Sequence, residues 1–383
     1  MRCTPRLLSA CAAALMLASV PASAHDEPFA QCGLSGVRYE AIELGEGVGA
    51  AAINDRGEIT GTASLSDTLA RAFIWDCERG VQSIGAVDEG DYASIAYDIN
   101  NRGQIVGQSV TFDDSKAFIW DRADGMRGIG SQTGGLAYDV NDRGDVLMMD
   151  NTIWTEGIGS RPTQDMIGFY FTSIAVTNDR RHILGLRVAE ESDYSLRFFD
   201  WSARDGRRDF AVAPDAAFTE VAATNNRGDI IGSSRNALFS GSTLPYLAKR
   251  DGEFQFLTEV RGGIDGQARS INDRRQIISW IDMGSGSDTY LWDPKNGLRV
   301  LSDLLSPSLQ GFVAGGNDIN NWGWISGGLY QPTTGERRAV LLVPVRETST
   351  RFGNLAKLKG AALCRALDQV KLDALITCLL TGK

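Results

Sequence analysis

The sequence predicts an all-β protein, a seven-bladed β-propeller of four-stranded antiparallel blades with a short C-terminal α-helical tail. Three observations carry this reading. An Asn-centred motif recurs seven times, a Trp-bearing strand follows most copies, and each end of the repeated region holds an incomplete piece of a blade.

Residues 1–24 have the layout of an export signal peptide. Arg2 and Arg6 precede the apolar stretch Leu7 to Val20, and Ala22-Ser23-Ala24 offers a cleavage site before His25. The apolar stretch is too short to cross a bilayer. Leu8-Ser9-Ala10-Cys11 is the alternative, a lipidation box, but no hydrophobic core stands ahead of its cysteine. No later stretch approaches ~18 consecutive apolar residues, so no transmembrane segment is expected and the destination is periplasmic or extracellular. Losing two arginines with the signal deepens the formal net charge of -10 by two units. That balance argues against nucleic acid and favours cations, basic proteins or neutral sugars.

After a lead segment, residues 25–36, the propeller is expected over 37–346. The motif copies are Ile53-Asn54-Asp55-Arg56-Gly57, Ile99-Asn100-Asn101-Arg102-Gly103, Val140-Asn141-Asp142-Arg143-Gly144, Thr177-Asn178-Asp179-Arg180-Arg181, Thr224-Asn225-Asn226-Arg227-Gly228, Ile271-Asn272-Asp273-Arg274-Arg275 and Ile319-Asn320-Asn321-Trp322-Gly323. Asn and Asp make local side-chain turns and Gly accepts positive φ, so each copy suits a tight hairpin between strands one and two. Phe73-Ile74-Trp75-Asp76, Phe118-Ile119-Trp120-Asp121, Ile153-Trp154, Asp200-Trp201 and Leu291-Trp292-Asp293 mark strand three, with Ala248 and Leu342 replacing Trp in copies five and seven. In copy two the strands are expected at Ser94 to Ile99, Gln104 to Ser109, Ala117 to Asp121 and Met126 to Ile129. A blade cannot bury both faces alone, so the Trp series reads as packing between blades. Copy seven ends at its third strand, Ala339 to Pro344. Its missing outer strand is expected to be Tyr39 to Gly45, which closes the ring and removes two exposed edges.

Arg71-Ala72-Phe73 and Lys116-Ala117-Phe118, with the Ile-Asn-Asp/Asn-x-Gly-x-Ile-x-Gly segment upstream, resemble the extracellular HAF-repeat family over about residues 37 to 346. The His of the naming triplet is absent from every copy. The resemblance implies a propeller-like repeat and export, and no defined activity. Trp-Asp at the end of strand three gives a fainter likeness to WD-repeat propellers, without their Gly-His partner.

The tail, residues 347–383, has helical spacing, with stripes at Leu355, Leu358, Ala362, Leu363 and Leu367 and at Leu372, Leu375, Ile376, Leu379 and Leu380. Cys32, Cys77, Cys364 and Cys378 remain after export and suggest two disulfides. Cys364 and Cys378 would lie about 21 Å apart along one straight helix, whereas a disulfide needs Cα atoms within about 7 Å. The favoured pairing, Cys364–Cys378 with Cys32–Cys77, therefore requires a helical hairpin folding back near Asp368 to Leu372. The alternative staples the tail to the body through Cys32 or Cys77.

No nucleophile elbow, phosphate loop, EF-hand or zinc spacing occurs, and no cofactor, metal or catalytic residue is assigned. His182 is read as a solvated turn residue. His25, at the mature N-terminus, has only His182 to complete a copper brace. Turn chemistry accounts for the Asn-Asp pairs better than calcium does. The strand two-to-three and blade-to-blade loops share one rim and differ in every copy, so they are the expected binding surface. Its candidate ligand-binding residues are Asp67, Asp88, Glu89, Asp91, Tyr92, Asp113, Asp114, Tyr170, Glu190, Glu191, Asp193, Tyr194, Asp288 and Tyr330. The leading expectation is a non-enzymatic binding or scaffold propeller recognising a glycan, envelope component or protein. The competing ones are a polysaccharide hydrolase or lyase using rim carboxylates and a structural envelope protein assembling through its C-terminal helices.

Overall fold

The computed structural model describes residues 36–130, 135–168, 173–175, 178–188, 195–212, 219–235, 243–258, 265–282, 287–346 and 355–381. The export signal, the lead segment and Cys32 lie outside these residues. Seven four-stranded antiparallel blades follow one another along the chain, as expected for a propeller. Blades one and two, and blades five and six, also touch through single parallel pairs, Ala70 with Ala93 and Thr243 with Asp265. In blade two the strands run Ala93–Ile99, Ile105–Val110, Ser115–Asp121 and Gly125–Gly128, within two residues of the expected limits.

Strand three carries the Trp series in one register. Trp75, Trp120, Trp154, Trp201 and Trp292 stand opposite Ile59, Ile105, Val146, Ile183 and Ile277 on strand two. Ala248 and Leu342 occupy the same place in blades five and seven, opposite Ile230 and Ile325. The alternating apolar positions on both faces of each blade meet those of its neighbours, so the core is a series of wedges between blades.

The ring closes as the leftover fragments require. Val37–Gly45 pairs antiparallel with Arg337–Arg346, with Tyr39 opposite Pro344 and Ala41 opposite Leu342. Blade seven is thus built from both ends of the repeat region.

The tail corrects two expectations. Ala361–Thr381 is one continuous helix, not a hairpin, and Cys77 pairs with Cys364 across a Cα separation of 5.3 Å. The favoured Cys32–Cys77 and Cys364–Cys378 pairing is thereby overturned in favour of a staple from tail to body. The reason is where the helix packs. Leu355, Leu363, Leu367 and Val370 join a core with Ile42, Trp75, Trp324 and Val343 of blades one and seven. Cys364 then lands on the turn after strand three of blade one. Lys371 Nζ donates to the carbonyls of Asp55 and Arg56, 3.2 and 3.4 Å away, and lies 4.8 Å from the Trp324 ring. Burial pushes its pKa below the usual lysine value, with Asp368 and Asp55 opposing that shift.

Candidate functional site on the propeller axis

The seven Asn turns meet at the axis, where they line a cavity of about 200 Å³. In blade one, Asn54 Oδ1 accepts the backbone N–H groups of Arg56 and Glu58, and its Nδ2 donates to Glu58 Oε2. The same Nδ2 donates to the main-chain carbonyl of Asn100 in the next blade at 3.0 Å. The pattern repeats from Asn100 to Asn141, Asn141 to Asn178, Asn225 to Asn272, Asn272 to Asn320 and Asn320 to Asn54. Aspartate has the same shape but cannot donate to a carbonyl, which is why these copies carry asparagine.

A second ring lies one residue on. The backbone N–H of Asp55 donates to Asn101 Oδ1, and so on through Asn101, Asp142, Asp179, Asn226, Asp273 and Asn321, whose N–H returns to Asp55 Oδ1. Asn101, Asn226 and Asn321 each place an amide between two carboxylates. A ring of seven cannot alternate perfectly, and the mismatch falls at Asp142 and Asp179. Burial, then the charge of Asp142, pushes the Asp179 carboxyl up. Further out, Arg143 and Arg227 donate to the carbonyls of Asp179 and Asp273 in the next blade, and Trp322 Nε1 does the same to Asp55. Most of the repeated polar signal therefore holds the ring shut.

Positive φ follows in every copy. Gly57, Gly103, Gly144, Gly228 and Gly323 adopt it freely, whereas Arg181 and Arg275 hold φ of 60°. Both arginines pair with a buried acid of the preceding blade, Arg181 with Asp145 and Arg275 with Asp229. His182 is not the solvated residue expected, because its Nδ1 lies 2.5 Å from buried Asp200, which also binds Arg250.

Beyond the turns, the innermost strand carries a bulge at a fixed place, between Ala50 and Ala52, Ala96 and Asp98, Ala137 and Asp139, Val221 and Ala223, Ala268 and Ser270, and Gly316 and Asp318. The bulge drives a carbonyl toward strand two. A Cβ on Gly61, Gly107, Gly232 or Gly327 would sit 1.9–2.0 Å from it, which explains the second glycine of the Ile-x-Gly pattern. Bulges re-aim side chains, and this one sets two kinds of group on the axial wall.

The first kind is half-buried carboxyls. Asp98 and Asp139 of adjacent blades hydrogen-bond to each other side chain to side chain, and burial raises both, Asp139 well above the usual carboxylate range. Two carboxyls in that contact share a proton. Asp318 accepts from Ser270 Oγ and from the N–H groups of Ile53 and Ile319, yet burial still pushes it up to about 6. Among the described residues no three such groups converge in a way that holds a metal ion.

The second kind is the bulge residues and those two before them, which vary from blade to blade. Tyr97 and Tyr138 bring their rings to 6.5 Å, Tyr138 is 44% exposed, and Gln108 donates to the Tyr97 hydroxyl at 2.9 Å. Arg269 donates to Asn317 Oδ1 at 3.1 Å, and Asn317 donates to the Ala50 carbonyl. Exposed Glu220 and Gln267 lie on the same strand edges. Sequence reasoning missed this wall. Its signal is variation three and five residues before an otherwise constant Asn.

The expected rim residues are divided. Asp67, Asp88, Glu89 and Asp113 are exposed. Asp91 is buried, with Oδ2 accepting from Ser109 and from the Asp88 N–H, while Asp114 binds the N–H of Ser115. Asp88 pairs with Lys116. Tyr92 meets Phe112 at 5.1 Å, and Phe112 is 91% exposed. Asp288 is half-buried, and Arg337 lies over the half-exposed ring of Tyr330. Tyr170, Glu190, Glu191, Asp193 and Tyr194 lie outside the described residues.

No protein-family model and no curated protein matches the chain. Among solved structures it is similar to a gluconolactonase from Xanthomonas campestris, with 11% identity, a TM-score of 0.36, and coverage of 82% of this chain and 92% of that one. The lectin SapL1 in complex with alpha methyl fucoside gives 11% identity and 0.35, covering 83% of this chain and 100% of the lectin. TolB from Acinetobacter baumannii gives 13% and 0.32, covering 81% and 64%.

Proposed function

We propose that this protein is an exported binding propeller without catalytic activity, and that its ligand is a glycan met in the periplasm or outside the cell. The observation that carries the reading is the pair Tyr92 and Phe112. A phenylalanine 91% exposed beside a second ring is a costly surface for a monomer to keep wet. Asp67, Asp88, Glu89 and Asp113 are exposed on loops of the same two blades, one and two, held by a rigid scaffold. Aromatic faces accept the C–H faces of a sugar, and carboxylates accept its hydroxyl protons. The Asn-turn motif supports kinship with HAF-repeat proteins, and the tail disulfide supports an oxidising compartment.

Titration calorimetry of the mature chain against envelope and plant oligosaccharides tests this. Phe112→Ala is expected to weaken a bound glycan about tenfold or more with no change in folding. If the wild type binds none of them, the glycan reading falls.

The Asp98–Asp139 pair favours a second reading, a polysaccharide hydrolase or lyase. In that case the wild type releases reducing sugar or unsaturated product, and Asp139→Asn stops turnover while leaving binding intact.

A further inference from the structure

We infer that the axial wall is a second seat in the same recognition surface, taking one uncharged sugar ring of the glycan. This rests on the glycan reading above. Seven copies of one repeat turn the chain into its own comparison, because the Asn that opens each turn is constant. The wall positions are not. Blades two and three supply Tyr97 and Tyr138, blade five Glu220, blade six Gln267 and Arg269, and blade seven Asn317. Of these six, Asn317 also bonds across the closing seam to the Ala50 carbonyl, whereas blade one has only Gly49 and Ala51 at the same places.

The ligand class follows from the charges and the rings. Glu220 and Arg269 put both signs on one wall, so neither a cation nor an anion is favoured throughout. Deeper in, Asp98 and Asp139 line the axial cavity and hydrogen-bond to each other. A ligand rich in neutral hydroxyls meets that polar wall without importing charge. Tyr138 presents an exposed ring face, and Tyr97, which accepts from Gln108, keeps its own proton to donate. Flat apolar faces edged by hydroxyls describe a pyranose.

The test uses the mature chain and five probes: cellohexaose, xylohexaose, mannohexaose, a galacturonate hexamer and spermidine. Calorimetry is run on the wild type, Tyr138→Ala, Tyr138→Phe, Gln267→Ala and Phe112→Ala, with near-ultraviolet circular dichroism checking each fold. The expected result is binding of a neutral hexamer, weakened tenfold or more by Tyr138→Ala and several-fold by Gln267→Ala, and retained by Tyr138→Phe. Binding lost in Phe112→Ala but unchanged in both axial alanine variants overturns the seat and leaves the glycan reading standing. Binding of only the galacturonate hexamer or spermidine overturns the ligand class. No binding of any hexamer overturns both readings.

Discussion

Asn320 of blade seven donates its side-chain amide to the main-chain carbonyl of Asn54 in blade one, 2.9 Å away and 266 residues earlier in the chain. The bond is the same as the one Asn54, Asn100, Asn141, Asn225 and Asn272 each make to the next blade, so the seam is held by the same chemistry as those joints. Asn320→Ala and Asn100→Ala should therefore cost similar amounts. Each strips a buried carbonyl and two backbone N–H groups of partners, for about 1–3 kcal/mol. Urea unfolding of the two variants checks this, and a much cheaper loss at Asn320 would show that the seam is not made of such bonds.

Cys77–Cys364 ties blade one to the tail that follows blade seven. Cys364→Ser should lower stability by about 2–5 kcal/mol. Non-reducing peptide mapping would find the Cys77–Cys364 peptide pair, and a thermal scan with dithiothreitol should reproduce the variant's lower midpoint in the wild type.

The two arginines at positive φ predict a compensated pair. Arg275→Gly removes local strain but leaves Asp229 buried without its guanidinium, 2.7 Å away. The net effect should be a loss of about 2 kcal/mol. Blade three has Gly144 where blade six has Arg275, and the residue facing it from the preceding blade is Gln104. Adding Asp229→Gln to Arg275→Gly should recover most of the loss, measured by a double-mutant cycle.

Asp318 predicts a pH slope. Its carboxyl is raised to about 6 by burial, above its value in an unfolded chain, so the native state holds the proton more tightly. That contribution is fully present below about pH 4 and is lost as pH rises through about 6. Burial raises Asp98 and Asp139 in the same direction. Asp318→Asn keeps an acceptor for the Ile53 N–H and removes the charge. Relative to wild type, the variant should therefore gain on the order of 2–3 kcal/mol between pH 4 and 7.5. Urea midpoints at the two pH values measure the difference, and no change in it would place the proton elsewhere.

Much of this fold could be read from residues alone because repetition separates packing from the rest. The Asn motif located the hairpins, the Trp series located strand three, and the unpaired Tyr39–Gly45 segment announced the closure. The tail could not be read in that way. The spacing of Cys364 and Cys378 describes a helix but not the surface it lies on, and that surface depends on Trp322 and Trp324 replacing the Arg and polar residues of other copies. The axial wall was hidden for the opposite reason. The bulge positions hold Ala51, Tyr97, Tyr138, Arg269 and Asn317 in different blades, so no single residue type marks them, and only the bulge at their common register sets them apart.

The sulfur bridge also changes how the molecule would meet a mechanical load. Cys77 follows strand three of the first blade, and Cys364 lies beyond the last blade, so the chain between them is a closed covalent loop. Tension applied to the two termini passes through that bond. The closing strand and the inner strands of blade one precede Cys77 and can be drawn out, while everything from the outer strand of blade one onward is bypassed. A pull that would unwind an open ring blade by blade would here stop after the closing strand and three strands of blade one.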